Sequence, residues 1–477
     1  MTVTVLGPWS DGAGPLHTKL ADALRRAIEL GHLASGARLP SERDLARDLN
    51  VSRSTVVAAY DTLRGEGMVE SRQGSGTRVR ARRAPGLRER PALSPLYRSL
   101  LEDNGSLISL ALAIHAAHPL VGDAIAEVAA DSERLLAMPG YLPAGLPELR
   151  AAIALRFTAL GAPTAAEEIL VTTGAQQAVN LGSALLLRPG DEVAVETPGL
   201  AGTLDSLRAQ GARFLPIAID RHGIDTDALA TLAARRPPAL VYVMPTYHNP
   251  TGVLLAEHRR RALVDLAVER GVPVLEDNAL EFLSLDHEPL PPVAAFAPAG
   301  APVLTAGSLS KAAWAGLRIG WLRGPARLIA RAAELKAVAD LGTPLLDQAV
   351  AARLVPRLAE LGRDRSAELR AALELVSELL RQRLPDWAWE VPAGGPSLWI
   401  RLPSGTASGF AQVAARYGVE VIPGEVMSPT GEHRSHFRLP FTAPPPVLEA
   451  TIARLETAWA AYTPGGQIGR PTAGVVV

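Results

Sequence analysis

The chain has 477 residues, of which 48% are hydrophobic and 20% charged, as is typical of a globular protein with two to four domains. It contains no cysteine, which excludes disulfides, thiolate metal sites and a cysteine nucleophile. No apolar run approaches the length that spans a bilayer, and residues 1–12 lack the features of a secretory signal. We therefore expect a cytoplasmic protein that does not enter a membrane.

The net charge of −1 conceals an uneven distribution of charge along the chain. Residues 1–90 contain 15 Lys and Arg against 10 Asp and Glu, a surplus of 5 positive charges, so the remaining residues carry a net charge of −6. A basic N-terminal segment on an acidic remainder indicates a nucleic-acid-binding module. A surplus of this size also occurs on ordinary solvated surfaces, so charge alone does not decide between the two.

The N-terminal segment carries the pattern of three helices followed by a hairpin. Apolar residues recur at helical spacing over 16–30, and Ser41 and Ser52 are placed as the N-caps of two further helices. A Gly-rich turn then separates two short strand patterns at 68–70 and 77–79. Two short helices joined by a tight turn and followed by a basic hairpin predict a winged helix-turn-helix.

The rest of the chain alternates helical patterns with short apolar runs. Four of these runs lie at 169–172, 192–195, 240–243 and 272–275. The alternation predicts an α/β body with a mainly parallel sheet covered by helices. A smaller C-terminal α+β lobe is predicted from about residue 325, with long helices over 326–339 and 345–384.

These patterns also predict where the domains begin and end. Residues 81–107 are rich in Arg and Pro and lack apolar periodicity, which indicates a linker. The end of the chain is rich in Gly and Pro, which indicates a disordered tail. The expected segments are a DNA-binding domain over 10–80, the linker over 81–107, the α/β body over 108–462 and the tail over 463–477.

Lys311 is the most informative residue of the body, because the chain has only three lysines among its 48 basic residues. Arginine keeps its proton and cannot form a Schiff base, whereas a deprotonated lysine can attack an aldehyde. Ser308 and Ser310 precede Lys311 and Arg318 follows it, so hydroxyls and a cation flank the amine. This setting favours a lysine that binds pyridoxal phosphate over an ordinary surface lysine.

Two segments of the N-terminal region, LPSERDLA at 39–46 and VSRSTV at 51–56, closely resemble the GntR family of bacterial winged-helix regulators. Residues at the start of the second helix of the motif can reach base edges, while Arg43 and the wing can reach phosphates or the minor groove. We therefore expect the protein to bind a double-stranded DNA operator. The expected DNA-binding residues are Arg43, Ser52, Arg53, Ser54, Thr55, Gln73, Gly74, Ser75 and Gly76.

Six landmarks in the body follow one another in a characteristic order. They are YLPAG at 141–145, TGAQQA at 173–178, HNPTG at 248–252, EDN at 276–278, SLSK with GLR at 308–318, and FRLP at 437–440. In this order they resemble the fold-type I pyridoxal phosphate enzymes of the class I and II aminotransferase group. The resemblance covers about 350 residues and implies both the fold and the cofactor.

The resemblance also implies a role for each landmark residue. Lys311 would bind the cofactor covalently, Asp277 would pair with its pyridine nitrogen, and Asn249 would hydrogen-bond its phenolic oxygen. Arg438 would bind the carboxylate of a substrate or effector, and Tyr141 would reach the cofactor phosphate of a neighbouring subunit. The expected cofactor-binding residues are Tyr141, Gly174, Ala175, Gln176, Asn249, Asp277, Ser308, Ser310, Lys311 and Arg318.

The chain departs from the aminotransferase pattern at two positions. Leu200 stands where the family usually has an aromatic residue stacked on the pyridine ring, and Ala279 stands where related regulators usually have a tyrosine. Leucine can cover a ring face but lacks the geometry of aromatic stacking. Both departures favour cofactor binding without efficient transamination.

A GntR-type winged helix joined to an aminotransferase-like body resembles the MocR (GabR- and PdxR-like) regulators. The resemblance implies a homodimeric transcriptional regulator that binds pyridoxal phosphate and senses an amino compound or pyridoxal phosphate itself. Two alternatives stay open at this point. One is an active aminotransferase with an appended DNA-binding domain, and the other is a regulator whose body has lost the cofactor and only dimerises.

Overall fold

The computed structural model describes residues 5–7, 9–10, 14–29, 31–34, 36–72, 76–80, 107–285 and 290–462. Three of the expected DNA-binding residues, Gln73, Gly74 and Ser75, lie outside the described residues, as do the linker over 81–106 and the tail over 463–477. The N-terminal domain consists of α1 (Leu16–Glu29), α2 (Glu42–Leu49), α3 (Arg53–Gly65), β1 (Val69–Arg72) and β2 (Gly76–Val79). The two strands pair in antiparallel fashion.

The expected caps set the bounds of the two helices of the motif. The hydroxyl of Ser41 accepts a hydrogen bond from Asp44 N–H at 3.2 Å, and that of Ser52 accepts from Thr55 N–H at 3.2 Å. Helix α2 ends at Asn50, whose φ of 52° is the left-handed conformation that asparagine tolerates. These contacts place α3 directly after a tight turn, as a helix-turn-helix requires.

The core of this domain forms where the three helices meet. Helix α3 buries Val56, Ala59, Tyr60 and Leu63, and the Tyr60 hydroxyl donates to Pro40 O at 2.9 Å. Val57, next to Val56, is only half-buried, and Ala59 completes the inner face of the helix. Leu6 and Trp9 are also buried in this core. Both precede residue 10, the expected start of the domain.

The body is built from helices packed around one large sheet. Its helices are α4 (Pro119–Ala130), α5 (Glu133–Leu136), α6 (Pro147–Ala159), α7 (Ala175–Leu186), α8 (Ala201–Ala209), α9 (Thr226–Arg235), α10 (Glu257–Arg270), α11 (Ala326–Asp340), α12 (Leu345–Leu354), α13 (Leu358–Arg383), α14 (Ala407–Arg416) and α15 (Pro445–Ala461). Its strands are β3 (Ile108–Ser109), β4 (Ile169–Thr172), β5 (Glu192–Thr197), β6 (Arg213–Asp220), β7 (Gly223–Ile224), β8 (Leu240–Val243), β9 (Val274–Asp277), β10 (Val303–Ser308), β11 (Gly320–Arg323), β12 (Ser397–Arg401), β13 (Val419–Glu420), β14 (Ile422–Pro423) and β15 (His436–Pro440).

In the part of the chain that the structure describes, the large sheet has eight strands in the order β4-β11-β10-β9-β8-β5-β6-β7. The five strands from β10 to β6 run parallel, whereas β11 is antiparallel to both of its neighbours and β7 is antiparallel to β6. The sheet is therefore mainly parallel, as predicted. Its central strands are buried on both faces, in agreement with their continuous apolar runs.

The parallel strands bring their carboxyl ends to one edge of the sheet. Strand β5 ends at Thr197, β8 at Val243, β9 at Asp277 and β10 at Ser308. Ligands of open α/β sheets bind outside this edge, because the loops that follow the strands converge there. Most of the predicted cofactor residues lie at this edge: Asn249, Asp277, Ser308, Ser310, Lys311 and Arg318 end β9 or β10 or follow β8 or β10, and Gly174, Ala175 and Gln176 follow β4.

The C-terminal lobe holds a three-stranded sheet in the order β12-β15-β14, with α14 and α15 packed beside it. The Trp387 ring forms edge-to-face contacts with Phe410, Phe437 and Trp459, at centroid distances of 5.4, 5.3 and 5.7 Å. The prediction of one helix over 345–384 was wrong. A 3-10 turn at Val355–Arg357 separates α12 from α13, because Pro356 cannot continue an α-helix without loss of a hydrogen bond.

Strand β3, the first element of the body, pairs with β13 in parallel fashion, so the chain joins the C-terminal lobe as soon as it enters the body. None of the helices within the described ranges combines the length and apolar character needed to cross a membrane.

Candidate functional site

Lys311 lies in the turn that follows β10, with its amine directed into the body. The amine donates a hydrogen bond to the carbonyl of Ala113. Burial lowers the pKa of Lys311 to about 8, and the nearby Arg438 and Arg318 guanidinium groups contribute to this lowering, against the opposing effect of Asp277. The uncharged, nucleophilic form of the amine is therefore available near neutral pH.

Positive charge gathers on one side of Lys311. Arg318, held at a φ of 51°, donates from Nη2 to Thr173 O at 2.6 Å, and Gly174 lies directly behind it as the N-cap of α7. A Cβ on Gly174 would come within 2.8 Å of the Arg318 guanidinium, so this close approach requires glycine at a φ of 93°. The backbone N–H groups of Ala175 and Gln176 begin α7, and an N-terminus of this kind favours an anion.

The two serines of the landmark extend this positive region. Ser308 Oγ accepts a hydrogen bond from Ser310 N–H at 3.1 Å and lies 3.2 Å from Ile319 O. The two hydroxyls are 2.9 Å apart. Together with Arg318 and the start of α7, they form a donor set of the size and charge that a phosphate group needs.

Asp277 provides negative charge on the other side of Lys311. It ends β9, is 3% exposed, and accepts hydrogen bonds from Ala279 N–H at 2.9 Å and from the Tyr242 hydroxyl at 3.1 Å. Burial raises the pKa of Asp277, while these two hydrogen bonds and the charge of Lys311 oppose the rise. A buried carboxyl group of this kind is suited to pair with a protonated ring nitrogen.

Arg438 and Asn249 lie together at the edge of the same site. The Arg438 guanidinium lies 3.5 Å from Asn249 Oδ1 and donates to the carbonyls of Leu110 and Ala111. Its Nε is buried and finds no hydrogen-bond acceptor among the described residues. This incomplete set of partners leaves Arg438 able to bind a carboxylate.

Two of the expected cofactor residues are placed differently from the rest. Tyr141 is 70% exposed on the surface of the body. The side chain of Gln176 turns to α8, where it donates to Ser206 Oγ, so only its backbone N–H faces the anion side of the site. The structure therefore brings together Lys311, Asp277, Arg318 and Arg438, with Tyr141 outside this group.

Tyr242 was not among the expected site residues, but the structure places it against Asp277. Its hydroxyl lies 3.0 Å from Thr203 Oγ1, and burial, followed by the charge of Asp277, raises its pKa well above the usual value. Tyr242 therefore keeps its proton and donates it to Asp277 in a hydrogen bond. One signal was available, because a tyrosine in a fully buried strand needs a partner for its hydroxyl.

A second buried pair was also missed behind the HNPTG loop. His248 Nε2 lies 3.5 Å from Glu196 Oε2, which accepts a hydrogen bond from Met244 N–H at 2.7 Å. Burial raises the pKa of Glu196 to about 8 and lowers that of His248 to about 3. Both groups are therefore uncharged at neutral pH, which explains how an acid and a base can share the interior next to Asn249.

The two departures from the aminotransferase pattern border the site. Leu200 is the residue before α8 and is half-buried, and Ala279 contributes only its backbone N–H, to Asp277. Neither side chain can donate a hydrogen bond. Asp277 is thus held by the Tyr242 hydroxyl and the Ala279 N–H, whereas Leu200 and Ala279 add neither an aromatic ring nor a side-chain donor.

The expected DNA-binding residues that the structure describes lie on α2, at the start of α3 and on β2. Arg43, Arg53 and Ser54 are exposed, as a base or phosphate contact requires. Ser52 and Thr55 are half-buried, and the Ser52 hydroxyl lies 2.8 Å from those of both Ser54 and Thr55. Gly76 begins the second strand of the wing, where a Cβ would lie 3.0 Å from the Arg38 side chain.

A lysine amine, a buried carboxyl group and an arginine beside a helix N-terminus lie at the carboxyl edge of a mainly parallel sheet that follows a winged helix, which is the arrangement of fold-type I aminotransferases. Comparison with known families agrees with this class. Residues 118–455 match the aminotransferase class I and II family, and residues 16–79 match the gntR family of bacterial regulatory proteins. The chain belongs to the GntR-type transcriptional regulators that carry an aminotransferase-like domain.

The individual relatives include both transcriptional regulators and an aminotransferase. The HTH-type transcriptional regulator YisV of Bacillus subtilis (strain 168) is 30% identical over 485 residues, covering 96% of this chain and 97% of its own. The probable rhizopine catabolism regulatory protein MocR of Rhizobium meliloti is 31% identical, covering 67% of each chain. The structure of the α-aminoadipate aminotransferase LysN of Thermus thermophilus covers 77% of this chain and 95% of its own, with 28% identity and a TM-score of 0.69.

The lowered pKa of Lys311 predicts how the reaction with pyridoxal phosphate depends on pH. Only the uncharged amine can attack the aldehyde, so the attachment rate should rise with pH and level off above a midpoint of about 8. Arg438→Gln removes a nearby positive charge and should move this midpoint to higher pH. Stopped-flow absorbance over a pH series spanning this midpoint gives the midpoints of the wild-type protein and of Arg438→Gln, with Lys311→Arg as the control that should show no attachment. The same midpoint in both proteins would contradict the influence of Arg438.

Proposed function

We propose that this regulator binds pyridoxal phosphate covalently at Lys311 and uses the aminotransferase-like body to sense a small amino compound or pyridoxal phosphate itself. It would act as a homodimer on operator DNA in the cytoplasm. The observation that carries the proposal is Lys311, whose pKa is lowered to about 8 by burial and by Arg438 and Arg318, in a chain that also exposes Arg43 and Arg53 on a winged helix.

The described residues fit pyridoxal phosphate at both of its ends. Arg318 and the N-terminus of α7 suit the phosphate, and Asp277, held by the Tyr242 hydroxyl, suits the pyridine nitrogen. When bound, pyridoxal phosphate supplies a reactive aldehyde and a ring that withdraws electrons. LysN, the structural relative described above, was solved with N-(5'-phosphopyridoxyl)-L-leucine, which supports the same cofactor here.

Residues 110–113 give the site a way to respond to a ligand. Arg438 donates to the carbonyls of Leu110 and Ala111, and Lys311 donates to that of Ala113. A ligand carboxylate at Arg438 and an aldehyde at Lys311 would each replace one of these contacts. Because this segment follows the linker and strand β3, its release would alter the connection between the body and the DNA-binding domain.

A direct contact between the two domains supports the same coupling. Arg416, the last residue of α14, donates from Nη2 to the carbonyl of Leu49 at 3.0 Å, where α2 ends. A cation at this position also interacts favourably with the C-terminal end of the helix dipole. Helix α14 belongs to the lobe that carries Arg438 on β15, so a ligand that moves this lobe would also move α2.

An exposed apolar surface supports the homodimer. Val338 is 91% exposed, Leu341 is 50% exposed and Leu346 is 53% exposed, all around the end of α11. Tyr141 adjoins this surface, because the backbone of Leu142 lies against Gly342. Exposed apolar residues of this kind favour contact with another copy of the chain, and a second subunit seated there would bring Tyr141 towards the site of that second subunit.

An active aminotransferase is the second candidate function, since LysN and other aminotransferases resemble the body. Lys311, Asp277 and Arg438 would serve that reaction as well. Leu200 and Ala279 argue against it, because neither can orient the faces of the ring or donate to its phenolic oxygen. Steady turnover of an amino acid with a 2-oxo acid would favour the enzyme, and a single stoichiometric response would favour the sensor.

The exposed position of Arg53 predicts a role in sequence recognition. If Arg53 contacts a base edge, Arg53→Ala should weaken binding to a duplex selected by the wild-type protein from a random pool by about 1–3 kcal/mol. Binding to an unrelated duplex should change little. Fluorescence anisotropy with both duplexes measures this, with the exposed Arg26 on α1 changed to Ala as a control. An equal loss on both duplexes would show a phosphate contact instead.

The free Nε of Arg438 predicts that the site prefers ligands with a carboxylate. With pyridoxal phosphate bound, Arg438→Gln should weaken the binding of leucine by at least roughly tenfold, whereas 3-methylbutylamine, the same molecule without the carboxylate, should bind as before. Spectral titrations measure both. The control is Arg434→Gln, because Arg434 is a more exposed arginine in the same lobe. An equal loss for acid and amine would contradict the assignment.

A further inference from the structure

Lys336 is a fully buried lysine at a distance in sequence from every landmark of the site. It lies on α11 with none of its side chain exposed, and its ammonium donates to both carboxylate oxygens of Asp340, at 2.9 and 2.7 Å. A third hydrogen bond goes to Gln177 Oε1 at 3.0 Å. All three ammonium protons thus have acceptors, as the removal of a charge from water requires.

Gln177 links this buried charge to the anion side of the site. Its side-chain oxygen also accepts from Thr173 N–H at 2.9 Å, and its Nε2 donates to Asp340 Oδ2 at 2.7 Å. The carbonyl of the same Thr173 accepts from Arg318 Nη2 at 2.6 Å. A continuous chain of hydrogen bonds therefore runs from Lys336 through Gln177 and Thr173 to Arg318.

We propose that Lys336 is a positioning residue for the phosphate site, which it orders by fixing Gln177 and, through it, the Thr173-Gly174 loop. The inference rests on the proposed binding of pyridoxal phosphate. Gly174 leaves no room beside Arg318, so a small shift of this loop would displace the guanidinium or close the approach to it. Fixing the loop keeps the start of α7 and the guanidinium aligned on one anion.

The choice of lysine agrees with this role. The chain has 48 basic residues and only three lysines, Lys19, Lys311 and Lys336. A compact ammonium can direct its protons to three separate oxygens, whereas a planar guanidinium needs more space and a flat arrangement of acceptors. Lys336 therefore occupies a position where charge is needed in a small volume, next to a loop that the ligand must contact.

The experiment compares pyridoxal phosphate with pyridoxal, which lacks the phosphate. Spectral titration gives the dissociation constant of each ligand. The dissociation constant of pyridoxal divided by that of pyridoxal phosphate measures how much the phosphate contributes to binding. Lys336→Met should reduce this ratio by roughly tenfold, about the contribution of one well-placed hydrogen bond to a charged group. Gln177→Leu should reduce it similarly while leaving the Lys336–Asp340 ion pair in place.

The control is Arg331→Met, which removes an exposed cation from the same helix and should leave the ratio unchanged. If both test variants weaken pyridoxal phosphate and pyridoxal equally, Lys336 merely stabilises the fold and the inference is wrong. Unchanged binding of both ligands would overturn it as well. If the wild-type protein binds neither ligand, the cofactor proposal fails and the role of Lys336 fails with it. In the two outcomes above, the wild-type protein still binds pyridoxal phosphate and only the role of Lys336 is refuted.

Discussion

The candidate site is organised around the amine of Lys311, which is buried near two guanidinium groups. Burial and the charges of Arg438 and Arg318 all disfavour a protonated lysine, and Asp277 opposes them. Such an arrangement costs free energy in the folded protein and is retained where it makes an amine reactive. The parallel sheet makes it possible, because the loops after β9 and β10 place the carboxyl group and the amine at the same edge.

The same site contains the contacts that a ligand would have to break. In the described structure, the amine of Lys311 and the guanidinium of Arg438 are satisfied by backbone carbonyls of residues 110–113. Ligand binding would therefore be an exchange of partners, in which the 110–113 segment gives up two hydrogen bonds. Among the described residues, the Arg416–Leu49 hydrogen bond joins the body directly to the DNA-binding domain, and the 110–113 segment lies near the start of the body.

Much of the fold could be predicted because the signals are local. Ser41 and Ser52 cap helices by contacts three residues away, and continuous apolar runs identify the central strands of a parallel sheet. The break between α12 and α13 was missed because the helical apolar pattern continues across Pro356. The burial of Leu6 and Trp9 was missed because nothing in their immediate sequence shows that helices later in the chain cover them.

The residues of the site also divide into those that the sequence identifies and those that only the structure identifies. Lys311 was singled out by the rarity of lysine in the chain, and Asp277 and Asn249 by the resemblance to aminotransferases, and their roles stay proposals. The partners of Tyr242 and Lys336 could not be recognised, because Asp277 and Gln177 lie 35 and 159 residues away in the sequence. Inside an apolar strand or helix, such residues have the pattern of ordinary core or surface positions, and only the three-dimensional contacts distinguish them.

The most direct test of the account is the affinity for a selected operator duplex, measured without ligand, with pyridoxal phosphate, and with pyridoxal phosphate plus the common amino acids. Coupling between the two domains predicts that at least one addition changes the dissociation constant by about fivefold or more. Lys311→Ala should abolish that change while keeping the affinity of the ligand-free protein. Equal affinities under all three conditions would contradict the account and leave the body as a dimerisation scaffold.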